Sequence, residues 1–310
     1  MKILRIVLKG EEHPYYTITS AFKTIFDEVD TLYWDEVNRQ DLNGIIQARV
    51  QAIPYDAIFM QIQHAGIISR QTAEVLSKYL VFNWTGDVRE DLSWYEEIAD
   101  CVVTLFTNMT DVKKFRAKGF KSYYLQVGYD HLYYHDKKMS RYNNIAFCGN
   151  YYHSAGFPLT EYRAESVYVL KVNHPERFNL YGNDWDRLGI KSEGNADNEW
   201  ESLLYNQSLL ALSISHFNYE NYFSDRLLRE MACGCCVLSH RFPCSEFVEK
   251  EHIIYFDNTK DLLEKCQYYF DHPEEATEIG QRASKYVSEK FTWINFAQNL
   301  KKLINECTNI

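Results

Sequence analysis

Short apolar runs alternate with amphipathic segments along the first half of the chain. The runs predict buried strands at residues 3–8, 31–34, 56–62, 80–84, 101–106 and 122–126. The segments between them predict helices at residues 17–28, 69–79, 95–99 and 109–118. Because strands that alternate with helices pair in parallel, this half is predicted to form a doubly wound α/β sheet.

The second half repeats this alternation after a polar segment at residues 131–144, which is predicted to be a linker. Strands are predicted at residues 145–148, 179–181, 209–214, 235–238 and 252–256. Helices are predicted at residues 160–171, 199–205, 260–269, 273–290 and 293–307. We therefore expect two Rossmann-like domains, at residues 1–140 and 141–292, and a separate helix at residues 293–310.

Residues 224–238, SDRLLREMACGCCVL, hold the clearest single pattern. Leu227, Leu228 and Met231 form an apolar helical stripe, and Gly234 is placed to end that helix. With the apolar run at 209–214 before it and the run at 235–238 after it, the helix completes a βαβ unit. Its first turn has free backbone N–H groups and carries Arg226, which together could hold a diphosphate. The alternative is a surface helix with solvated arginines.

SDRLLREMACG is similar to the nucleotide-binding helix of GT-B glycosyltransferases of the group 1-like type, and most similar to that of spore-maturation glycosyltransferase-like proteins. The resemblance implies that Arg226 contacts the donor diphosphate, with Ser224 and Asp225 at the start of the helix. Many relatives carry a ribose-binding Glu five residues before the Gly. Here that position holds Arg229, and Glu230 follows it.

Two further segments resemble donor-binding signatures of this family. Gly149-Asn150 follows the first predicted strand of the second half, where the lack of a Cβ would let the backbone approach the diphosphate. Tyr181-Gly182-Asn183 and Trp185 resemble a signature near the nucleobase, although Tyr181 and Trp185 could equally pack in the core. Asp184-Trp185-Asp186 imitates the D-x-D metal motif of another glycosyltransferase fold, but the parallel-sheet plan argues against that interpretation.

Over the whole chain, the resemblance implies a GT-B fold, in which two domains face a cleft. The N-terminal domain would bind the acceptor and the C-terminal domain a nucleotide sugar, most simply a UDP-sugar. The helix at residues 293–310 would cross back to the N-terminal domain. Enzymes of this fold usually stabilise the leaving diphosphate without a metal, so we expect neither a metal nor another cofactor.

An inverting enzyme also needs a base to take the proton of the acceptor hydroxyl. Asp87 follows the strand at 80–84, and its segment resembles the aspartate turn of phage DNA β-glucosyltransferases, in which Asp is followed by an apolar residue and Arg. Val88 and Arg89 occupy those two positions. The alternatives are that Asp87 pairs with Arg89 or caps a helix. His13, in the loop after the first strand, is the second candidate base.

Composition narrows the class of protein. The chain has 310 residues, 46% hydrophobic and 25% charged, which is typical of globular proteins. Its net charge of −10 argues against a general polyanion binder. The eight cysteines lack zinc-site spacing, and no apolar run is long enough to cross a membrane, so we expect a cytoplasmic protein with reduced thiols. Dinucleotide-fold, P-loop and nucleophile-elbow motifs are absent from the sequence.

These patterns predict a glycosyltransferase that moves a hexosyl group from a nucleotide sugar to a hydroxyl acceptor, with the stereochemistry left open. The acceptor could be a glycan, a small molecule, a protein or a hydroxymethylated DNA base. One alternative is a non-catalytic nucleotide- or sugar-binding module with the same fold. Another is a metal-dependent, epimerase-like enzyme on a similar fold.

Overall fold

The computed structural model describes residues 1–12, 16–153 and 157–308 and divides into two compact units. The first unit consists of Met1–Gly128 and the last helix of the chain, and the second of Tyr129–Thr292. The predicted linker therefore belongs mostly to the second unit. Residues 129–141 are held there by side chains: Tyr134 donates to Glu201 Oε2 at 2.6 Å, and the Asn206 side chain accepts from the Lys137 N–H at 2.7 Å.

The first unit is built on a parallel sheet of six strands. In chain order its elements are β1 (Lys2–Val7), α1 (Ile18–Ile25), β2 (Glu28–Tyr33), α2 (Arg39–Ala52), β3 (Ala57–Met60), α3 (Arg70–Leu76), β4 (Val81–Trp84), α4 (Ser93–Ile98), β5 (Val103–Phe106), α5 (Met109–Ala117) and β6 (Ser122–Tyr124). The strand order is β2-β1-β3-β4-β5-β6. The alternation of strands and helices confirms the predicted doubly wound architecture.

The second unit has a parallel sheet of five strands. Its elements are β7 (Tyr142–Cys148), α6 (Thr160–Asn173), β8 (Phe178–Tyr181), α7 (Asn198–Gln207), β9 (Ser208–Ser213), α8 (Asp225–Ala232), β10 (Cys236–His240), β11 (Ile254–Phe256), α9 (Thr259–Asp271) and α10 (Pro273–Lys290). The last helix of the chain is α11 (Trp293–Thr308). The strand order is β11-β10-β9-β7-β8, so this half also matches the predicted fold class.

Two elements of the first unit differ from the sequence prediction. Helix α2 was not predicted because polar residues dominate its sequence, yet Leu42, Ile46 and Val50 form a buried stripe along it. Asn38 caps its start by accepting a hydrogen bond from the Gln40 N–H at 3.1 Å. Helix α1 ends earlier than predicted, because the backbone becomes extended at Phe26 and β2 begins at Glu28.

The last helix, α11, closes one face of the first sheet. Its residue Phe296 packs edge-on against Phe59 and Trp84, with ring centroids 6.0 and 4.9 Å away, and also lies near Phe22 of α1. The elements that α11 covers, α1, β3 and β4, all come from the first part of the sequence. Among the described helices, none combines the length and the apolar character that crossing a membrane requires.

Candidate functional site

Arg226 lies across the carboxyl ends of two neighbouring strands of the second sheet. Its Nη1 donates to the carbonyl oxygen of Cys148 at 3.3 Å, at the end of β7, and its Nη2 to that of Ile214 at 2.8 Å, just after β9. The guanidinium carbon lies 5.1 Å from the ring centroid of Phe147. Arg226 is thus held at the sheet edge where α/β folds bind ligands.

A second arginine, Arg163 of α6, approaches the same phenyl ring. Its guanidinium carbon lies 5.0 Å from the Phe147 centroid, and its side chain is almost fully buried. Burial, followed by repulsion from Arg226, lowers the pKa of Arg163 well below its usual value. Two guanidinium groups enclosed this closely favour an anion beside them. The sequence did not reveal Arg163, because a single arginine within a helix has no distinguishing pattern.

His216 lies beside Arg163 at the same edge. Its Nε2 is 3.1 Å from Arg163 Nη1, and its ring stacks on Phe157 with the centroids 4.3 Å apart. Burial, and then the charges of Arg163 and Arg226, lower the pKa of His216 to about 3. The imidazole is therefore neutral at physiological pH and adds no charge to the arginine pair.

Gly149 makes room for these two arginines. A Cβ at this position would lie 2.6 Å from Arg226 Nη1 and closer still to Arg163 Nη2. The free space at Gly149 is thus filled by guanidinium groups, whereas the sequence analysis assigned it to the diphosphate. Gly182, with φ +131°, packs backbone to backbone against Gly149, since its Cβ would lie 2.5 Å from the Gly149 carbonyl carbon.

The residues around Gly182 brace this turn. The indole N–H of Trp185 donates to the Gly149 carbonyl at 2.7 Å, and Trp185 is completely buried. The backbone N–H of Asn183 donates to Asn150 Oδ1 at 2.8 Å. Tyr181 ends β8 half-buried. Trp185 therefore makes the core contacts that the sequence analysis gave as its alternative, and its part in nucleobase binding stays a prediction.

Helix α8 begins at this edge, and the side chain of its N-cap residue does not cap the helix. Ser224 occupies the N-cap position, but its hydroxyl makes no cap hydrogen bond to the helix. The Ser224 Oγ is buried and has no hydrogen-bond partner among the residues described. An unpartnered hydroxyl beside the free N–H groups of a first turn is a suitable ligand for a phosphate oxygen.

Arg229 occupies the position at which the resemblance places a ribose-binding Glu. Its side chain pairs with carboxylates of the protein. Its guanidinium pairs with Asp225 and, at 3.1 Å, with Glu201 Oε2. It also lies over the ring of Tyr134, 5.1 Å from the centroid. These contacts tie α8 to α7 and to the segment before β7. Whether Asp225 and Arg229 also bind the donor stays a prediction.

Glu230 lies one turn after Arg226 and is completely buried. Its Oε1 is 3.7 Å from Arg226 Nε, and neither carboxylate oxygen accepts a hydrogen bond of normal geometry from the described part of the chain. Burial raises the pKa of Glu230 to about 8, and attraction by Arg226 opposes this rise. Glu230 is therefore largely protonated at neutral pH and leaves the two arginines with a net positive charge.

Comparison with known proteins gives a family match that falls mostly on the second unit. A family model described as glycosyl transferase-like matches residues 163–302, which include α6, α8 and most of the second unit. Among curated proteins, no sequence matches significantly.

Several solved structures share the fold over almost the full length of this chain and of their own chains. HepE from Anabaena, in complex with UDP and glucose, is 11% identical with a TM-score of 0.67, covering 99% of this chain and 100% of HepE. Sucrose-phosphate synthase from Thermosynechococcus elongatus is 10% identical with a TM-score of 0.67, covering 100% of each chain. A glycosyltransferase from Rickettsia africae is 11% identical with a TM-score of 0.70, covering 98% of each.

The whole chain has the GT-B fold. The family match falls on the unit that carries the arginine pair, and the fold of the solved structures accounts for both sheets. The second unit holds all the residues that the sequence analysis associated with the donor: Gly149, Asn150, Tyr181, Gly182, Asn183, Trp185, Ser224, Asp225, Arg226, Arg229 and Glu230.

The two candidate bases belong to the sequence of the first unit. Asp87 follows β4 and Gly86, whose φ is +68°, and its side chain is 73% exposed. Its carboxylate lies 4.0 Å from Arg89 Nη2, which also donates to Gln63 Oε1 at 2.6 Å. Asp87 is thus accessible to an acceptor but also lies near Arg89, as the alternative expected. His13 lies outside the described residues.

Proposed function

We propose that the protein transfers a hexosyl group from a UDP-sugar to a hydroxyl acceptor without a metal ion. One observation carries the proposal: the buried Arg163 and the partly exposed Arg226 both lie against Phe147, and Arg226 belongs to the first turn of α8, whose N-cap hydroxyl on Ser224 has no partner among the described residues. This arrangement offers two cations and a helix N-terminus to a single anion. A nucleoside diphosphate is the anion that a glycosyl donor brings to such a site.

In this proposal the arginines stabilise the charge of the leaving group. As the bond between the sugar and the diphosphate breaks, negative charge grows on the β-phosphate, and preorganised donors are most effective where charge develops. Arg226 is already fixed by the Cys148 and Ile214 carbonyls, so little reorganisation is needed. Asp87 would take the acceptor proton in an inverting reaction, with His13 as the second candidate.

Uracil is the proposed base because HepE, which shares this fold, is seen with UDP and with UDP-glucose. A thermal-shift screen with UDP, GDP, ADP, TDP and CMP tests the choice. We expect UDP to raise the melting temperature most, and slow hydrolysis of the matching UDP-sugar should follow. If another nucleotide stabilises the protein most, that nucleotide replaces UDP in the proposal. If none of the nucleotides stabilises the protein, the result contradicts a donor site around α8.

The arginine pair is tested by substitution at Arg226. Arg226→Ala should weaken UDP binding by about 10-fold or more, because a hydrogen bond to a charged group contributes roughly 1.5–3 kcal/mol. Arg241→Ala is the matched control, since Arg241 belongs to the same unit but pairs at the surface with Glu249 and Asp257. Equal UDP affinity in wild type and Arg226→Ala, measured by calorimetry, would remove Arg226 from the site.

Catalysis by Asp87 is tested separately from binding. Asp87→Asn should lower the transfer rate by a factor of roughly 10² or more while leaving UDP affinity unchanged. Asp91→Asn provides a control in the same loop. Transfer at the wild-type rate in Asp87→Asn would exclude Asp87 and direct attention to His13. Activity that survives EDTA would support metal independence, and its loss would favour the epimerase-like alternative.

A binding module without turnover is the competing function. The observation in its favour is Arg229, whose pairing with Glu201 and Asp225 replaces the carboxylate that relatives direct at the ribose. UDP binding with no release of sugar, even with glycan, small-molecule and protein acceptors present, would support this alternative. Transfer to hydroxymethylated DNA would instead identify a DNA base as the acceptor, against the net charge of −10.

A further inference from the structure

His240 is the last residue of β10 and is 4% exposed. Neither of its ring nitrogens makes a hydrogen bond of normal geometry with any residue that the structure describes. The Ser213 backbone lies near enough to influence its pKa, but one carbonyl can satisfy at most one nitrogen. The other nitrogen is therefore buried without a partner, which destabilises the fold unless something else bonds to it.

Another buried histidine of the same unit shows the contrast. His252 accepts a hydrogen bond at Nδ1 from the backbone N–H of Val248 at 3.2 Å, and its ring stacks on Tyr286 with centroids 4.2 Å apart. The protein fold thus gives the His252 ring a structural hydrogen bond. It gives His240 none of comparable geometry, so packing alone does not explain an imidazole at this position.

His240 lies at the same sheet edge as Arg226. Strand β10 pairs with β9, and Ser239 lies opposite Ser213 in that register. Just after Ser213 comes Ile214, whose carbonyl accepts from Arg226. Burial, and to a smaller extent the charge of Arg226, lower the pKa of His240 to about 4. The imidazole is therefore neutral at pH 7 and has one N–H to donate.

We propose that His240 is a donor-binding residue whose ring N–H bonds to the diphosphate of the nucleotide sugar. This contact rests on the function proposed above and adds a residue from β10 to those of α6 and α8. Because both ring nitrogens are closed to solvent, the bond forms as the nucleotide enters and the imidazole turns toward it. A diphosphate has the acceptor oxygens that the unpartnered nitrogen lacks.

The test compares ligands with and without phosphate. Binding of UDP, UMP and uridine is measured by calorimetry for wild type, His240→Leu and His240→Gln, with His252→Leu as the buried control. His240→Leu should weaken UDP binding about 10-fold and uridine binding less than about twofold. His240→Gln retains an N–H donor and should recover most of the UDP affinity. A purely structural role would weaken all ligands alike.

A second measurement avoids the risk that a substitution disturbs β10. In wild-type protein labelled with ¹⁵N-histidine, the His240 ring signals should shift on addition of UDP and stay in place with uridine. Unchanged ring signals with bound UDP, or equal losses for UDP and uridine in His240→Leu, would overturn the assignment of His240 alone. Wild-type protein that binds none of the nucleotides in the thermal-shift screen would overturn the proposed function and, with it, this contact.

Discussion

At the scale of single residues, the second unit concentrates polar groups that folding leaves poorly satisfied. Arg163 and Arg226 lie together on one phenyl ring, and Glu230 is enclosed without a hydrogen bond of normal geometry from the described residues. Buried groups of this kind destabilise a fold unless a ligand satisfies them. Their accumulation at one sheet edge is the basis on which we propose this edge as the donor-binding site.

The carboxyl of Glu230 makes stability depend on pH. Because burial raises its pKa from 4.5 to about 8, the folded protein holds a proton that the unfolded chain releases between those values. Its contribution to the free energy of unfolding should therefore fall as pH rises from 4.5 to 8, by about 1.4 kcal/mol per pH unit for one proton.

The Glu230→Gln variant has no titrating carboxyl at this position. Its free energy of unfolding should therefore fall less than that of wild type between pH 4.5 and pH 8. Urea unfolding at pH 5, 6.5 and 8 measures the difference. The exposed Glu264→Gln is the control, because its side chain is 65% accessible to solvent. Parallel stability curves for wild type and Glu230→Gln would show that Glu230 is ionised in the fold.

Gly149 is predicted to be intolerant of even one methyl group. In Gly149→Ala the new Cβ would collide with Arg163 and Arg226, which must move away from Phe147. We expect a loss of about 1–3 kcal/mol in stability and weaker UDP binding. Gly44→Ala is the control, because Gly44, like Gly149, has no positive φ, and it has no atom within 4 Å of its Cβ position. Equal effects of the two substitutions would mean that the arginines are not the cause.

At the scale of elements, α8 and α10 pack through glycine backbones. Gly280 of α10 lies against the turn that ends α8, where its Cβ would be 2.8 Å from the carbonyl carbon of Gly234. Gly234 itself has φ +82° and supplies the left-handed turn between α8 and β10. The close approach of α10 thus fixes the C-terminal end of α8, the helix whose first turn belongs to the proposed donor site.

Two glycine-to-alanine substitutions distinguish the effect of close helix packing on stability from the effect of helix propensity. Gly280→Ala should destabilise the protein by about 1–3 kcal/mol, although alanine favours helices. Gly44→Ala, in the exposed part of α2 with no atom within 4 Å, should stabilise it by up to about 1 kcal/mol. Thermal unfolding of both variants measures the effects, and stabilisation by Gly280→Ala would contradict the packing described.

At the scale of the whole molecule, the two ends of the chain meet in the first unit. Phe296 of α11 is 2% exposed and contacts rings from α1, β3 and β4. Phe296→Ala should therefore lower the free energy of unfolding of the first unit by about 3–5 kcal/mol. Limited proteolysis should then cut within residues 1–128, while exposed Lys302→Ala behaves as wild type. Cleavage confined to the second unit would contradict this division.

Local patterns in the sequence were enough to predict the fold class and most of the alternation of strands and helices, and they selected the α8 segment as the candidate donor-binding helix. Apolar strands and helical stripes are local patterns, and pairing rules for parallel strands convert them into two doubly wound sheets. Helix α2 escaped prediction because its stripe is diluted by polar residues. The motif around Arg226 was recognisable because its residues are consecutive in the chain.

The tertiary structure alone decided which distant residues meet at that motif. Arg163, His216 and His240 come from α6, the loop after β9 and the end of β10, and each is unremarkable in its own segment. The fold also gave Gly149 its role, since the groups that fill its free space lie elsewhere in the chain. Burial, which sets the pKa of Glu230 and leaves His240 unsatisfied, depends on packing from several elements and has no local signature.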